Sequence, residues 1–427
     1  MQTNFALAFY TTKFNKYTIN SLLGTLESDE YFEDLNIYFI KNKNSIISDL
    51  ETLLEKHKKI ILAFSFFTTQ IWETYEIISL INSSNLKSKI LTIAGGPHPS
   101  GDPKGTLKMG FDLVICGEGE ETLIELLKKF DLNDNYKTIK GIAYLDDDNN
   151  FIFNGHRDFV DLNKYKPFSL KYYRIGPLEI TRGCSSVCYF CQTPQLFKAK
   201  VRHRSIEKII EYVKILSKYN FTYLRFITPS AFSYGSQDGK TINLDTLETF
   251  LKSIKECMGQ EGKIFIGSFP SEVRPEHIND ETISLLKKYA ANDNIVIGAQ
   301  SGSQKILDLC HRGHTVVDVY NAVKSSVKAG FIPNVDFIFG LPGETEEDIF
   351  LTIKTMKDLV NLGARIHAHT FMPLPQTPFS KANAGTIDTK IQKIINELVP
   401  KKIIHGNWKE QEKLAKKIAL YLQTRTF

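Results

Sequence analysis

The sequence predicts an α/β protein. An N-terminal Rossmann or flavodoxin-like unit leads into a partial (β/α)6 TIM barrel, and a small α-rich C-terminal region follows. Three observations lead there. Short apolar runs closed by polar or glycine-rich turns alternate with helix-period stretches through most of the 427 residues, the pattern of strands paired in parallel through helical crossovers. That alternation is interrupted between about 141 and 176, which separates two series. Three of the six cysteines then fall within eight residues, Cys184 to Cys191, directly after the first apolar run of the second series.

The first series is read in order. Strands are predicted at Phe5–Phe9, Asn36–Ile40, Lys59–Ser65, Lys89–Ala94 and Leu113–Cys116. An amphipathic helix is predicted over Ile71–Asn82, and another runs to about Phe130. Three strands end in distinctive turns: Ser65 to Gln70, Gly95-Gly96-Pro97-His98-Pro99, and Gly117-Glu118-Gly119-Glu120. Ligands of parallel sheets bind beyond the carboxyl ends of the strands, so these turns can converge on one ligand. Asp146 to Asn150 is a tight turn between Gly141–Leu145 and Phe151–Asn154 and predicts a hairpin. The boundaries expected are 1–140 for the first domain, 141–176 for hairpin and linker, 177–375 for the barrel and 376–427 for a helical cap.

The second series predicts strands at Leu178–Thr181, Tyr223–Thr228, Ile264–Phe269, Ile295–Gln300, Val335–Phe339 and Arg365–Met372. Helices are predicted over 205–219, 244–256, 280–289, 303–310, 316–329 and 346–362. Barrels place their chemistry on the loops after the strands, and the cysteine triplet occupies the first of them. Trp408 to Thr424 reads as a lysine-rich amphipathic helix.

Composition narrows the partners. Hydrophobic residues make up 42% and charged residues 24%, as in ordinary globular domains. The net charge of +5 is too slight to argue for nucleic acid. There is no basic-then-apolar leader and no apolar run near ~18 residues, so neither export nor a membrane span is expected. Clustered ligand cysteines fit a reducing, cytoplasmic setting and low oxygen.

Cys184, Cys188 and Cys191 stand at C-x3-C-x2-C spacing. A 4Fe–4S cluster held by three thiolates keeps one iron open. A zinc site completed by His203 is the alternative reading. With Phe190 in its aromatic position, the stretch resembles the signature of the radical S-adenosylmethionine superfamily. Gly-Gly-Pro-His-Pro and Gly-Glu-Gly-Glu upstream resemble the cobalamin-binding domain of its cobalamin-dependent branch. The likeness extends over roughly residues 55 to 375 and points to compact, archaeal-type members among the class B methyltransferases.

The resemblance implies three cofactors: a 4Fe–4S cluster on Cys184, Cys188 and Cys191, S-adenosylmethionine, and cobalamin. For S-adenosylmethionine it implies contacts from Phe190, Thr228, Ser230, Gln300, Ser301, Arg312, Phe339 and Gly340. Arg312 would pair with the carboxylate, and Phe339 and Gly340 would flank the adenine. No carboxylate stands in Thr228-Pro229-Ser230, where relatives carry Gly-Gly-Glu, so Thr228 or Ser230 would replace it. For cobalamin it implies Ser65, Thr68, Thr69, Gly95, Gly96, Pro97, His98, Gly117, Glu118, Gly119 and Glu120. The sequence has no D-x-H-x-x-G, so a histidine ligand to cobalt is not expected, and His98 reads as a turn residue.

The implied reaction starts with reductive cleavage of S-adenosylmethionine to a 5′-deoxyadenosyl radical. That radical takes hydrogen from an unactivated carbon, which then receives a methyl group from methylcobalamin. The substrate is a peptide, protein or small molecule; an arginine or glutamine carbon of methyl-coenzyme M reductase is one example. A low-potential electron donor is implied as a partner. Cobalamin-dependent radical chemistry without methylation, such as cyclisation or rearrangement, is the alternative, and a non-enzymatic cofactor-binding sensor is a further one. Cys257 and Cys310 are expected to be structural, with no second cluster.

Overall fold

The computed structural model describes residues 5–427. The chain divides into two compact units: one runs to Gly176 and takes in Arg425–Phe427, and the other is Pro177–Thr424. No helix among the described residues is long and apolar enough to cross a membrane.

In the first unit, β1 (Phe5–Tyr10), β2 (Asn36–Ile40), β3 (Lys59–Ser65), β4 (Ile90–Gly95) and β5 (Leu113–Ile115) form a parallel sheet. The hairpin strands β6 (Ile142–Leu145) and β7 (Phe151–Phe153) extend it antiparallel, in the order β2-β1-β3-β4-β5-β6-β7. The near-continuous apolar strands follow from burial on both faces. Leu7, Leu23, Ile61, Ile93 and Leu126 share one core, each contributing roughly 1.5–3 kcal/mol by leaving water. The order turns back at β1, so the ends of β1 and β3 flank the switch point where such sheets bind ligands.

Three elements of this unit differ from expectation. Helices Lys16–Leu26 and Ile46–Leu54 were not predicted; the first buries Asn20, Gly24 and Thr25 among its apolar residues, which blurs its period. The Gly95–Pro99 segment is not just a turn: Pro97–Gly101 and Pro103–Lys108 are short helices. Proline suits the first helical position because no N–H is needed there. Asp102 caps the second helix by accepting from the Gly105 N–H.

In the second unit, β8 (Leu178–Glu179) is followed by β9 (Thr181–Arg182), which pairs with β10 (Arg202–His203). The barrel strands are β8, β11 (Tyr223–Ile227), β12 (Lys263–Phe265), β13 (Asn294–Gln300), β14 (Ile332–Phe339), β15 (Arg365–Thr370) and β16 (Ile404–His405). They form two parallel sheets, β12-β11-β8 and β13-β14-β15-β16, joined by a bridge between Val273 and Ile297. The strand expected at Ile264–Phe269 stops at Phe265. Gly267 turns left-handed there (φ +70), with the Val273 side chain against it. The strand expected at Arg365–Met372, β15, stops at Thr370, and the short β16 follows it.

Helices Val316–Lys328 and Glu346–Asn361 cover the outer face of β13 to β15. Val335, Phe337, Phe339, Ile366 and Ala368 are fully buried beneath them. Strand alternation therefore turns Asp336, His367 and His369 to the inner face. Helix Trp408–Thr424 lies along β15, where the Thr370 N–H donates to Gln411 Oε1 at 2.9 Å.

Gly24 supports a tight packing in the first unit. A Cβ there would lie 2.1 Å from the Lys166 carbonyl oxygen and 2.4 Å from that of Phe168. Backbone cannot step aside as a flexible side chain can. Gly24→Ala is therefore expected to destabilise the protein by about 1–3 kcal/mol, read as a lower denaturation midpoint for this unit.

Candidate active site

The cysteine loop leaves β9 through Gly183, whose φ is +85 and whose added Cβ would lie 1.9 Å from the Lys200 carbonyl oxygen. The loop is fixed by backbone bonds from Cys188 N to Ser186 O (2.9 Å), Cys191 N to Cys188 O (3.1 Å) and Tyr189 N to Cys310 O (3.0 Å). Tyr189 stacks on His311 at 5.3 Å. Phe190 packs on Ile306, Cys310, Leu341 and Phe371, so the aromatic of the motif anchors the loop in the core. Burial pushes the Cys191 thiol up to about 11 and raises that of Cys184. An iron cluster reverses that cost by holding the thiolates.

Arg312 faces these sulfurs. It is buried, and it donates Nη1 to Cys188 Sγ at 3.5 Å and Nη2 to the Gly298 carbonyl at 2.9 Å. Burial works against its charge; Cys188 and Glu272 outweigh that and raise its pKa. Gly298 gives these side chains room: a Cβ there would stand 2.5 Å from Arg312 Nη2 and 2.8 Å from Gln300 Nε2, so both would have to shift. Gln300 adopts φ +73 where the pairing of β13 with β14 shifts, a conformation that costs a non-glycine residue energy and gathers at functional sites.

Arg274 was missed in the sequence. It lies nine-tenths or more buried, donates Nη2 to the Arg312 carbonyl at 2.6 Å and pairs with Glu276. Its charge also acts on Cys184. Arg274 Nη1 and Arg312 Nε are buried without hydrogen-bond partners. Two guanidiniums with open N–H positions beside three thiols fit an anionic group: a thiolate-ligated cluster, a carboxylate, or both. The arginine comes from Ser271–Arg274, a stretch expected to lie beyond the third strand. Its link to the site is the Val273–Ile297 bridge, which sequence spacing does not reveal.

The zinc alternative loses its fourth ligand. His203 Nδ1 is bonded to Thr181 Oγ1 at 2.9 Å and Nε2 to the Ser236 carbonyl at 3.0 Å, so neither nitrogen is open to a metal.

Other expected contacts have partners within the protein. Thr228 Oγ1 donates to Ser230 O, and Ser230 Oγ lies 3.3 Å from His277 Nδ1. Ser301 Oγ meets Thr352 Oγ1 on helix Glu346–Asn361 and accepts from the Ser303 N–H; that hydroxyl organises the helix junction. Phe339 is fully buried on the outer face. The Gly340 N–H is taken by Glu344 Oε2 at 2.9 Å, and burial lifts that carboxyl to about 7. Glu344 thus ties the loop, and the Phe339 carbonyl already accepts from the Phe371 N–H at 2.9 Å.

In the first unit, the loops after β1, β3, β4 and β5 meet at one end of the sheet. Asn15 Nδ2 bridges the carbonyls of Tyr10 (2.9 Å) and Ser65 (3.1 Å), joining the loops at the switch point. At Gly96 (φ +95) a Cβ would lie 2.7 Å from Ser65 Oγ and 3.1 Å from the Phe66 nitrogen. Thr68 and His98 bond each other at 3.1 Å; the His98 ring is fully buried beside Phe66, and burial lowers its pKa to about 4. Those two side chains brace the loops. Pro97 opens the short helix after β4. Glu118 accepts from the Val160 N–H, and Glu120 is buried near Ser21. Gly95 lies at the end of β4, Gly119 precedes helix Glu120–Asp131, and Thr69 lies in the turn after β3.

What remains open there fits a large, partly apolar ligand. Gly117 has φ +91 with nothing within 4 Å of an added Cβ. Phe14 and Phe67, after β1 and β3, are exposed at 53% and 44%. Exposed aromatics at a switch point suit the face of a macrocycle such as corrin; neither was singled out in the sequence.

Comparison with known proteins agrees with this division. The Radical SAM superfamily matches residues 178–356 and the B12 binding domain matches residues 13–127. An uncharacterised methyltransferase of Pyrococcus horikoshii is 26% identical over 73% of this chain and 67% of its own length. The threonylcarbamoyladenosine tRNA methylthiotransferase MtaB of Aquifex aeolicus is 27% identical over 69% of this chain and 66% of its own. The chain thus spans about two thirds of the length of each relative. Among solved structures, the radical S-adenosylmethionine methyltransferase TsrM of Kitasatospora setae superposes with a TM-score of 0.68, over 89% of this chain and 74% of that one, at 16% identity. The cobalamin-dependent enzyme OxsB gives 0.61 over 82% and 52%, at 20% identity. At such identities the structural likenesses show the shared fold.

Arg312 leads to a measurable expectation. A unit positive charge about 5 Å from a centre, at an effective dielectric near 20, shifts its energy by about 3 kcal/mol. Arg312→Gln is expected to make the reconstituted cluster harder to reduce, by on the order of 100 mV. Potentiometric titration followed by electron paramagnetic resonance reads the shift.

Proposed function

Because residues 178–356 belong to the radical SAM superfamily and residues 13–127 to the B12-binding domains, we propose that the chain is a cobalamin-dependent radical S-adenosylmethionine methyltransferase acting on an unactivated carbon. Its cofactors are a 4Fe–4S cluster, S-adenosylmethionine and cobalamin. The observation that carries the reading is the pair of buried, incompletely partnered guanidiniums beside a C-x3-C-x2-C loop, on a chain that also carries an open, aromatic-edged switch point.

When bound, the cluster supplies the electron that cleaves S-adenosylmethionine, and cobalamin supplies a transferable methyl group. The chain's own residues do the rest. Cys184, Cys188 and Cys191 would hold the cluster through their three thiolates, with S-adenosylmethionine bound beside it. Arg274 offers Nη1 to a carboxylate, and Arg312 balances the thiolate charge at Cys188. Gln300 places its amide over Gly298 on the inner face, within reach of a ribose or methionine moiety. The packed loop around Phe190 and Tyr189 limits water at the cysteines.

The substrate is a peptide, a protein or a small molecule. An arginine or glutamine carbon of methyl-coenzyme M reductase is a specific candidate, with a low-potential reductant as electron donor. The names of the tRNA methylthiotransferases among the relatives give sulfur insertion as the competing chemistry.

The test is anaerobic reconstitution with iron, sulfide and cobalamin, then reduction with S-adenosylmethionine present. 5′-Deoxyadenosine is expected from the wild type and is expected to fall at least 100-fold when Cys184, Cys188 or Cys191 is replaced by Ala. A candidate substrate gains one methyl mass. A gain of methyl plus sulfur, or a product without added mass, overturns methylation while leaving the radical chemistry in place. Zinc in the triplet and no 5′-deoxyadenosine overturns both.

A further inference from the structure

A second cluster of ligating side chains lies on the inner face of the barrel, and the chemistry above does not use it. Strand register places Gly298, Asp336, His367 and His405 side by side in one row across β13, β14, β15 and β16. His369 follows His367 on the same face of β15 by the period of two. One donor atom each from Asp336, His367 and His369 falls within 4.8 Å of the others. His367 Nδ1 lies 2.9 Å from Asp336 Oδ1 and 3.2 Å from His369 Nε2.

Hydrogen bonding alone does not satisfy this arrangement. The Thr370 N–H fixes Gln411 Oε1, which turns the Gln411 amide NH2 to His369 Nδ1 at 3.3 Å. His369 Nδ1 is then an acceptor, and its proton in the neutral ring sits on Nε2. That proton points at His367 Nδ1, which must present a lone pair, and the same lone pair faces the Asp336 carboxylate at 2.9 Å. Protonating His367 Nδ1 instead opposes two N–H groups. A proton on His367 Nδ1 serves only the contact with Asp336, whereas one cation between the three atoms serves all of them.

The spacing suits a metal ion. Two ligand atoms about 2.1 Å from one ion stand about 3.0 Å apart at a right angle and about 3.4 Å apart at the tetrahedral angle. Two imidazoles and one carboxylate are a donor set for zinc, iron(II), cobalt(II) or manganese(II), and they leave positions open. Asp336 is buried, His367 and His369 are half-buried, and the exposed His405 stacks on His367 at 4.6 Å. A hydrated ion therefore has a route in from the β16 edge.

We propose that Asp336, His367 and His369 form a binding site for one divalent transition-metal ion, separate from the cysteine triplet. Through the row it lies one strand from Gly298, whose carbonyl holds Arg312, the partner of Cys188. Neighbouring strands stand about 4.8 Å apart, so the open positions of the ion face the space into which the cysteine loop and Arg312 also project. An oxygen or nitrogen donor of a bound substrate is the ligand such positions take. On binding, the His369 proton moves to Nδ1 and the Gln411 amide turns over, so that Oε1 accepts from His369 while the Thr370 N–H gives up that acceptor.

The test uses the full chain with its cluster reconstituted, dialysed anaerobically against zinc and then metal-free buffer, with zinc counted by mass spectrometry and folding checked by thermal melting. About one zinc per chain is expected in the wild type, at least tenfold less in Asp336→Asn and in His367→Ala. Gln411→Glu supplies the carboxylate partner that metal-bound histidines favour and is expected to tighten binding roughly tenfold. Cobalt(II) gives a second readout: nitrogen and oxygen ligation without a thiolate-to-metal charge-transfer band. Zinc content unchanged by Asp336→Asn and His367→Ala in folded protein, no zinc in the wild type, a thiolate band with cobalt, or weaker binding by Gln411→Glu each overturns the proposal.

Discussion

A guanidinium buried against a cysteine sulfur sets the terms for the second unit. Arg312 is 5% exposed, and an unpaired buried charge costs several kcal/mol. The fold keeps it charged by giving it Cys188 and the Gly298 carbonyl. Much of the local backbone follows. Gly298 leaves room for Arg312 across β13, the register of β13 shifts just beyond it, and Gln300 turns left-handed. Arg274 is held by the Arg312 carbonyl, so the two cations are placed as a pair. Like charges so close repel unless anions enter between and around them. Glu276 and Glu272 provide some of this, with Glu272 pushed toward its protonated form by burial. The remaining demand for negative charge is met by thiolates and by whatever carboxylate binds.

The surrounding core holds this polar centre rigid. Ser303 donates to Asp348 at 2.6 Å, while Thr345 caps the same helix through Asp348. Gly302 lies so close to that helix that a Cβ would stand 2.6 Å from Thr352 Cα. The segment Gln300–Ser303 is therefore clamped at both ends: Gln300 on the inner face by the bulge, Ser301 and Ser303 on the outer side by the helix. This explains why neighbouring residues with similar chemistry take different parts. Gln300 lies with its amide beside Gly298 and Arg312, whereas the Ser301 hydroxyl organises packing.

How much of this was legible in the sequence follows from the range of the signals. The cysteine triplet, its aromatic and the glycine turns are local patterns; the triplet lies in its expected loop, while Gly95–Pro99 runs from the end of a strand into a short helix. Strand periodicity placed most of the parallel strands, because buried strands are apolar along their length. The failures came where the determinant is non-local. Arg274 reaches the site because Val273 bridges to Ile297 after Gly267 breaks the third strand. The helix Lys16–Leu26 was lost because tertiary contacts bury polar and small residues within it, whereas Ile46–Leu54 buries only Ile46, Leu50 and Leu53, a regular helical stripe that is short enough to pass unnoticed. Thr68 and His98 read as ligand contacts from their turns, and the fold also joins them to each other through Thr68 Oγ1 and His98 Nδ1 at 3.1 Å.

The row Gly298–Asp336–His367–His405 shows the same limit most sharply. Its members come from four strands separated by tens of residues, and only parallel register aligns them. Within β15 the pattern Arg365-Ile-His-Ala-His-Thr370 reads as an alternating half-buried strand, and nothing in that period tells a ligand from a solvated histidine. The distinction appears only when hydrogen positions are followed through the network. The Thr370 N–H orients Gln411, Gln411 sets the tautomer of His369, and His369 leaves His367 with a lone pair facing a carboxylate. A backbone amide in a strand thus determines what a carboxylate on the neighbouring strand requires. The inner face of this barrel carries that requirement beside a cationic pair whose own requirement has the opposite sign.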